Sequence, residues 1–278
     1  MKLSFLTFGL LAVSASSFAY NGQIDAGFTN FDHDSDIIDS NGQVNLHGTY
    51  YFNPVAIKGP LNEAAFLGHN SNVYADYNYN YADRKDISIP AGTVSRDVTS
   101  HHFSGGIEYY VEKFYLNAGL GFGQLEVEDK LATPIGTLSN TEKEDLYAYR
   151  AVAGYMPISN LLLAAGTVGY QSSNEDHDDN RLLLKAKYVA PIGAGQHLNL
   201  EADALLGNND NLAIAADYYF NPAFSAGLAY EIADNGQEDT DYFTLRTKYF
   251  IQSNLAIGAS AGFGDDMTVL NINGTFRF

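Results

Sequence analysis

The 278-residue chain reads as an all-β protein: a transmembrane antiparallel up-and-down β-barrel of about 14 strands. Three observations predict this fold. Apolar residues recur with period two, aromatic residues gather at segment ends, and the connections alternate between short and long. Period two places every second side chain on one face of a strand, whereas an amphipathic helix would repeat at 3.6. Residues Asn72 to Ala82 show it: Val73, Ala75, Tyr77, Tyr79 and Tyr81 share one face, with Tyr74, Asp76, Asn78 and Asn80 on the other.

At the N-terminus, Lys2, the apolar run Leu3 to Val13 and the small-residue site Ser17-Phe18-Ala19 have the form of a secretory signal peptide. The expected organisation is therefore residues 1–19 removed on export and residues 20–278 as one outer-membrane barrel domain. Fourteen alternating segments follow, near 23–32, 42–53, 71–82, 99–111, 114–126, 144–156, 160–171, 181–190, 196–206, 211–220, 223–232, 241–251, 254–264 and 267–278. A strand of ~10 residues at ~3.3 Å each, tilted ~40°, rises about 25 Å, the height of the apolar band that an outer-membrane barrel presents to lipid. A soluble β-sandwich also alternates, but with shorter strands and a Leu/Ile/Val core between two sheets. Here Tyr50, Tyr109, Phe114, Tyr155, Phe220, Tyr249 and Phe276 mark one rim, and Tyr79, Phe103, Phe122, Tyr147 and Phe263 the other. Two such girdles fit a barrel in a bilayer.

With the N-terminus periplasmic, Pro157-Ile158-Ser159, Gly193-Ala194-Gly195, Asn221-Pro222 and Gln252-Ser253 are short periplasmic turns. The alternate connections carry most of the 33 carboxylates. They include Asp32, Asp34, Asp36 and Asp39; Glu126, Glu128, Asp129, Glu142, Glu144 and Asp145; Glu175, Asp176, Asp178 and Asp179; and Asp234 and Glu238. These are expected on the outer face. Residues 53–70 break the pattern, being long on the short side. Pro60 suits a helix start, Leu61 to Leu67 favours helix and Gly68 suits a stop, so a short helical segment is expected near 54–70. Two turns of helix are marginal alone, and the segment is expected to pack at or into the periplasmic mouth. Lys58, Pro60, Leu61, Glu63 and Phe66 would then form a periplasmic constriction. The inward glycines Gly119, Gly121, Gly123, Gly258 and Gly262 either make room for it or mark closely packed, curved strands.

Fourteen strands spaced ~4.8 Å and tilted ~40° enclose a lumen on the order of 15 Å across, too wide for side chains alone to close. Its lining is polar. The charged pore-lining candidates are Asp76, Glu108, Arg150, Lys185, Lys187, Glu201, Asp203, Asp217, Arg246 and Lys248. They can sort solutes by sign, brace the wall through pairs such as Lys185 or Lys187 with Glu201, or do both.

Composition removes other classes. Lys+Arg 15 against Asp+Glu 33 gives a net charge of -18, which excludes a nucleic-acid binder because such a protein needs a basic face. With no cysteine there is neither a disulfide framework nor a thiolate zinc site. No cofactor is expected. Glu175 to Asp179 lacks calcium-loop spacing and reads as a solvated acidic loop or a weak divalent-cation site. His101, His102 and Ser104 come close in sequence, but no G-x-S-x-G or H-E-x-x-H accompanies them, so no enzyme is expected.

The stretches Gly48-Thr49-Tyr50-Tyr51-Phe52, Lys58-Gly59-Pro60-Leu61 and Glu63-Ala64-Ala65-Phe66-Leu67, with the terminal Arg277-Phe278, are similar to a signature of gammaproteobacterial outer-membrane proteins. The chain resembles the porin family of small monomeric channel-forming barrels along its mature length. The resemblance implies a narrow passive channel for water, ions and small hydrophilic solutes, with no catalytic residues to assign. Partners would be outer-membrane lipid and lipopolysaccharide, and the barrel assembly machinery acting through the C-terminal Phe278. An adhesin-like surface role is the alternative, and an outer-membrane enzyme a more distant one.

Overall fold

The computed structural model describes residues 19–33, 38–173, 178–208, 210–234 and 239–278. Residues 1–18 of the expected signal peptide, and Asp34, Asp36, Glu175, Asp176, His177 and Glu238, lie outside the described residues. The chain folds into β1 (Tyr20–His33), β2 (Ile38–Val55), β3 (Asn72–Arg84), β4 (Ile87–Ile89), β5 (Gly92–Val111), β6 (Phe114–Thr133), β7 (Gly136–Ile158) and β8 (Leu161–Ser172). It continues through β9 (Asp178–Gly193), β10 (Gln196–Leu206), β11 (Asn211–Asn221), β12 (Phe224–Asp234), β13 (Asp239–Gln252), β14 (Leu255–Gly264) and β15 (Met267–Arg277). Each strand pairs antiparallel with its sequence neighbours except at β4, where β3 passes directly to β5. Pairing of β1 with β15 then closes a ring of 14 strands. Closure leaves no edge, so every backbone polar group at membrane depth finds a partner within the sheet. All the expected segments are barrel strands, and β4 is an additional three-residue strand on β5.

The barrel is apolar outside and polar inside. Ile24, Leu46, Leu120, Leu163, Leu200, Ile214, Leu245 and Ile272 point outward and are exposed. Rings pack along the rims: Phe114 on Tyr155 at 5.7 Å between centroids, Phe220 on Phe224 at 5.2 Å and Phe276 on Phe278 at 6.0 Å at the end bearing both termini. Towards the other end Tyr77 meets Phe103 at 4.6 Å and Phe122 meets Tyr147 at 6.0 Å. A cation on this outer band has only lipid around it. Leu200→Arg should therefore cost about 2–4 kcal/mol of folding free energy if it lies near the bilayer midplane, measured by denaturant unfolding in lipid vesicles; a change under about 1 kcal/mol would remove Leu200 from the midplane.

The acidic connections around 83–98 and 126–142 are corrected by the structure. They are not loops. Strands β5, β6 and β7 run through them as a projecting sheet, paired from Thr93↔Ala132 on one side to Thr133↔Gly136 on the other. Beyond the rim this sheet has lost its barrel neighbours, because β3 stops pairing with β5 at Asp83↔Asp97 and β8 stops pairing with β7 at Leu146↔Ser172. Charge pairs add to apolar cross-strand pairs such as Val94↔Leu131 and Val98↔Val127 in joining these strands. Arg96 donates two hydrogen bonds to Asp129, at 2.5 and 2.6 Å. Lys130 reaches Asp97 at 2.8 Å and Glu128 at 3.0 Å, and Lys143 reaches Glu126 at 2.7 Å.

The Arg96 hydrogen bonds hold the Asp129 carboxyl below its usual range. A carboxyl with a depressed folded-state value stabilises the sheet above its unfolded value and stops doing so as pH falls through the folded one. Proteolysis within 92–133 should consequently accelerate below about pH 4 in wild type. An Asp129→Asn variant should already be susceptible at pH 6; equal resistance at that pH would remove the pair as a brace.

Candidate functional site

The segment joining β2 to β3 enters the barrel from the end that carries the termini and short turns. Gly59 takes a left-handed conformation (φ 63), and a Cβ there would meet Leu67 Cδ1 at 2.9 Å, so glycine is what lets the chain fold under itself. Pro60, with φ -63 and ψ 138, then opens a 3-10 turn over Leu61–Glu63 that continues as α1 (Ala64–Gly68). The stop falls one residue beyond the one expected: His69 is the left-handed cap (φ 51). It is held there by stacking on Tyr110, with centroids 5.6 Å apart, and by a 2.7 Å contact between its Nε2 and the Ser159 carbonyl.

Three apolar anchors fix the segment. Leu61 packs with Phe250 and Ala256; Ala64 packs with Tyr20, Tyr51 and Val55; and Phe66 packs against Tyr115, Met156, Leu162 and neighbouring wall residues. The buried apolar side chains of this inside-out protein are thus concentrated against the inserted segment. Polar bonds add direction. Arg277 donates to the Leu61 carbonyl at 3.0 Å while its guanidinium lies 4.5 Å from the ring centroids of both Tyr20 and Phe250. Glu63, only 2% exposed, accepts the Tyr219 hydroxyl at 2.6 Å and pairs with Lys187 at 2.8 Å. Lys187 also lies 5.3 Å from the Phe66 ring centroid. Of the expected constriction residues, Pro60, Leu61, Glu63 and Phe66 are drawn into the mouth, whereas Lys58 is exposed and makes no side-chain hydrogen bond or ion pair among the described residues.

Register decides the pairs left open by sequence. On β9 and β10, Lys187 stands opposite Glu201 and Lys185 opposite Asp203. The corresponding N–O distances are 2.8 Å and 3.0 Å. Arg246 donates to both oxygens of Asp217, at 2.7 and 2.6 Å, and reaches Glu201 at 3.4 Å. Asn199 Nδ2 bridges Glu201 and Asp217 at 3.1 and 3.0 Å, and Lys248 lies 3.7 Å from Asp25. On the opposite wall His47 Nδ1 is 2.6 Å from Asp76, and Glu108 accepts from the Tyr115 hydroxyl at 2.5 Å and from Asn72 Nδ2 at 3.0 Å. Arg150 faces the same space. Asp25, Tyr219 and Arg277 were not singled out from sequence as site residues; Asp25 shares the polar parity of Gln23 and Gly27 in β1, a signal that could have found it.

The segment divides the lower lumen. A chamber of about 430 Å³, bounded by Glu63, Asp76, Glu108, Arg150 and Lys187, lies on one side of Asn62 and Glu63. One of about 260 Å³, bounded by Asn199, Asp217, Tyr219 and Arg246, lies on the other. Glu63 and Glu201 border both. Further along, about 460 Å³ is lined by Asp203, Glu231, Tyr242 and Arg246. The inward glycines make room for wall side chains rather than for the helix. A Cβ at Gly119 would meet the Tyr74 hydroxyl at 2.9 Å, at Gly121 the His102 Nε2 at 2.9 Å, and at Gly258 the Asn273 Oδ1 at 2.5 Å. His101 and His102 point to opposite faces of β5: His101 bonds the outward Tyr77 hydroxyl at 2.9 Å, while Ser104 bonds Asp76 at 3.3 Å inside.

The barrel fold matches known proteins. The family model described as "Putative general bacterial porin" matches residues 1–278. The crystal structure of the Acinetobacter baumannii outer membrane protein Omp33 is similar, with TM-score 0.64 and 22% identity over 95% of this chain and 100% of that one. The Ralstonia pickettii toluene transporter TbuX shares the fold at TM-score 0.56 and 8% identity, covering 94% of this chain and 90% of that one. The Pseudomonas putida toluene transporter TodX does so at 0.56 and 10%, covering 93% and 90%. No curated protein sequence matches the chain. With the whole chain matched by its model, the protein belongs to the general bacterial porin family.

Proposed function

We infer that the protein is a porin of the Gram-negative outer membrane, passing water, ions and small hydrophilic solutes passively through a narrow polar lumen. The observation that carries this is the 14-strand ring whose interior is lined by paired charges and crossed by one docked segment. The end bearing the termini is periplasmic, the segment around Leu61 to Phe66 is a periplasmic constriction, and the projecting β5–β7 sheet faces outward. Residues 1–19 direct export, Phe278 engages the barrel assembly machinery, lipid and lipopolysaccharide surround a single barrel, and no catalysis takes place. Purified protein in a planar bilayer should give discrete conductance steps. A surface-interaction barrel, the reading favoured by the projecting sheet, would give none.

The charged residues Asp76, Glu108, Arg150, Lys185, Lys187, Glu201, Asp203, Asp217, Arg246 and Lys248 line the path and set its selectivity in this proposal. Arg246→Gln leaves Asp217 and Glu201 with less compensation, so the reversal potential in a salt gradient should move towards cations. Unchanged selectivity would make the pair a wall brace alone.

A further inference from the structure

We propose that the 430 Å³ chamber holds a docking point for a small zwitterionic solute of the amino-acid class, with Arg150 binding its carboxylate. This rests on the porin reading and names the solute class for the same lumen.

Most cations of the lumen are already paired. Lys185 is committed to Asp203, Lys187 to Glu63 and Glu201, Arg246 to Asp217, and Lys248 to Asp25. Arg150 has no hydrogen bond and no carboxylate within 4.0 Å among the described residues, and it is exposed to the chamber. A guanidinium cannot lose its charge, and its planar fork of N–H donors matches the two oxygens of a carboxylate. The Tyr74 ring lies over the neighbouring glycines. Across β6 and β5 the positions level with Arg150 are Gly119 and Gly106, followed by Tyr74 on β3.

An acid with the opposite need, Glu108, lines the same chamber. Asn72 is 3% exposed, and its Nδ2 donates to the Glu108 carboxylate at 3.0 Å. That bond, with the one from the Tyr115 hydroxyl, holds the Glu108 carboxylate in place. A ligand ammonium in the chamber would lie beside the Glu108 carboxylate. Glu108 on β5 is two strand spacings from Arg150 on β7, about 10 Å along the curved wall. The chamber therefore offers one cation and one acid, Glu108, neither of them in an ion pair among the described residues. A monocarboxylate with an amine satisfies both, whereas a dianion would meet Glu63, Asp76, Glu108 and Glu201 with only one cation uncommitted.

The test is swelling of proteoliposomes containing the whole barrel, with L-alanine against glycerol, solutes of similar size. Wild type should favour L-alanine. In Arg150→Gln the alanine-to-glycerol ratio of rates should fall several-fold, and in Arg150→Lys, which keeps the charge and loses the fork, it should fall part of the way. Both variants are first checked for the heat-modifiable gel migration of a folded barrel, and Arg150→Lys carries the test if Arg150→Gln fails to fold. Identical ratios in wild type and a folded variant would overturn the docking point while leaving the channel intact. No swelling with either solute in wild type would overturn the channel reading itself.

Discussion

Replacing residues 57–66 by a short Gly-Ser linker should raise single-channel conductance by roughly two-fold or more, because a helical segment ~10 Å wide is removed from a lumen on the order of 15 Å across. The segment occupies the mouth through Leu61, Ala64 and Phe66, and its removal joins the two chambers that meet at Glu63. The barrel should survive. Its ring is closed by β1–β15 and β3–β5 pairing, none of which passes through the segment. The deletion does expose inward Tyr20, Val55, Phe250 and Met156 to water, each losing up to about 1.5–3 kcal/mol of burial. Thermal stability should fall while gel migration still reports a folded barrel. Conductance equal to wild type in a folded deletion variant would show that the narrowest point lies elsewhere, and the lumen around Asp203, Glu231 and Arg246 would be the place to look.

Strands were legible because a barrel wall writes its two solvents into alternate residues. Leu200, Ala202 and Ala204 face lipid, and Asn199, Glu201 and Asp203 face the lumen, so period two identifies both strand and orientation. The same rule placed Lys185, Lys187, Glu201 and Arg246 inside. Legibility failed where another force held the strands together. Around Arg96, Asp129 and Lys130 cross-strand charge pairs interrupt the apolar period, so a charge-rich stretch resembled a loop. Pair identity was also hidden, since matching Lys187 to Glu201 rather than to Asp203 depends on a one-turn register between β9 and β10 that composition does not encode. The helix stop was misplaced by one residue for a related reason: His69 adopts a left-handed cap because Tyr110 and Ser159, remote in sequence, hold its ring. The role of Arg277 was equally remote, because its partners Leu61, Tyr20 and Phe250 come from three separate parts of the chain.

Glu63→Ala should loosen the segment without opening the barrel, and the size of the effect follows from what each partner keeps. Removing one member of a buried ion pair costs about 3–5 kcal/mol when the other charge is left alone. Lys187 is not left alone, for Glu201 remains at 2.8 Å, so a loss nearer about 2 kcal/mol is expected. The Tyr219 hydroxyl loses its 2.6 Å acceptor and keeps only a 3.5 Å contact with Asn62. A docking equilibrium weakened by that much shifts roughly thirty-fold towards release, at 1.4 kcal/mol per factor of ten. Single-channel records should then show frequent high-conductance excursions, and protease added on the periplasmic side should cut within 57–66. Combining Glu63→Leu with Lys187→Met separates charge from packing. Replacing both buried charges by apolar side chains of similar size often leaves stability unchanged or improves it, and Glu201 would still have Arg246 at 3.4 Å. The double variant should thus be quieter than Glu63→Ala. If it is equally noisy, the apolar anchors Leu61, Ala64 and Phe66 cannot hold the segment without the ion pair. If Glu63→Ala is itself as quiet as wild type, those anchors and the Arg277 bond to the Leu61 carbonyl hold it unaided.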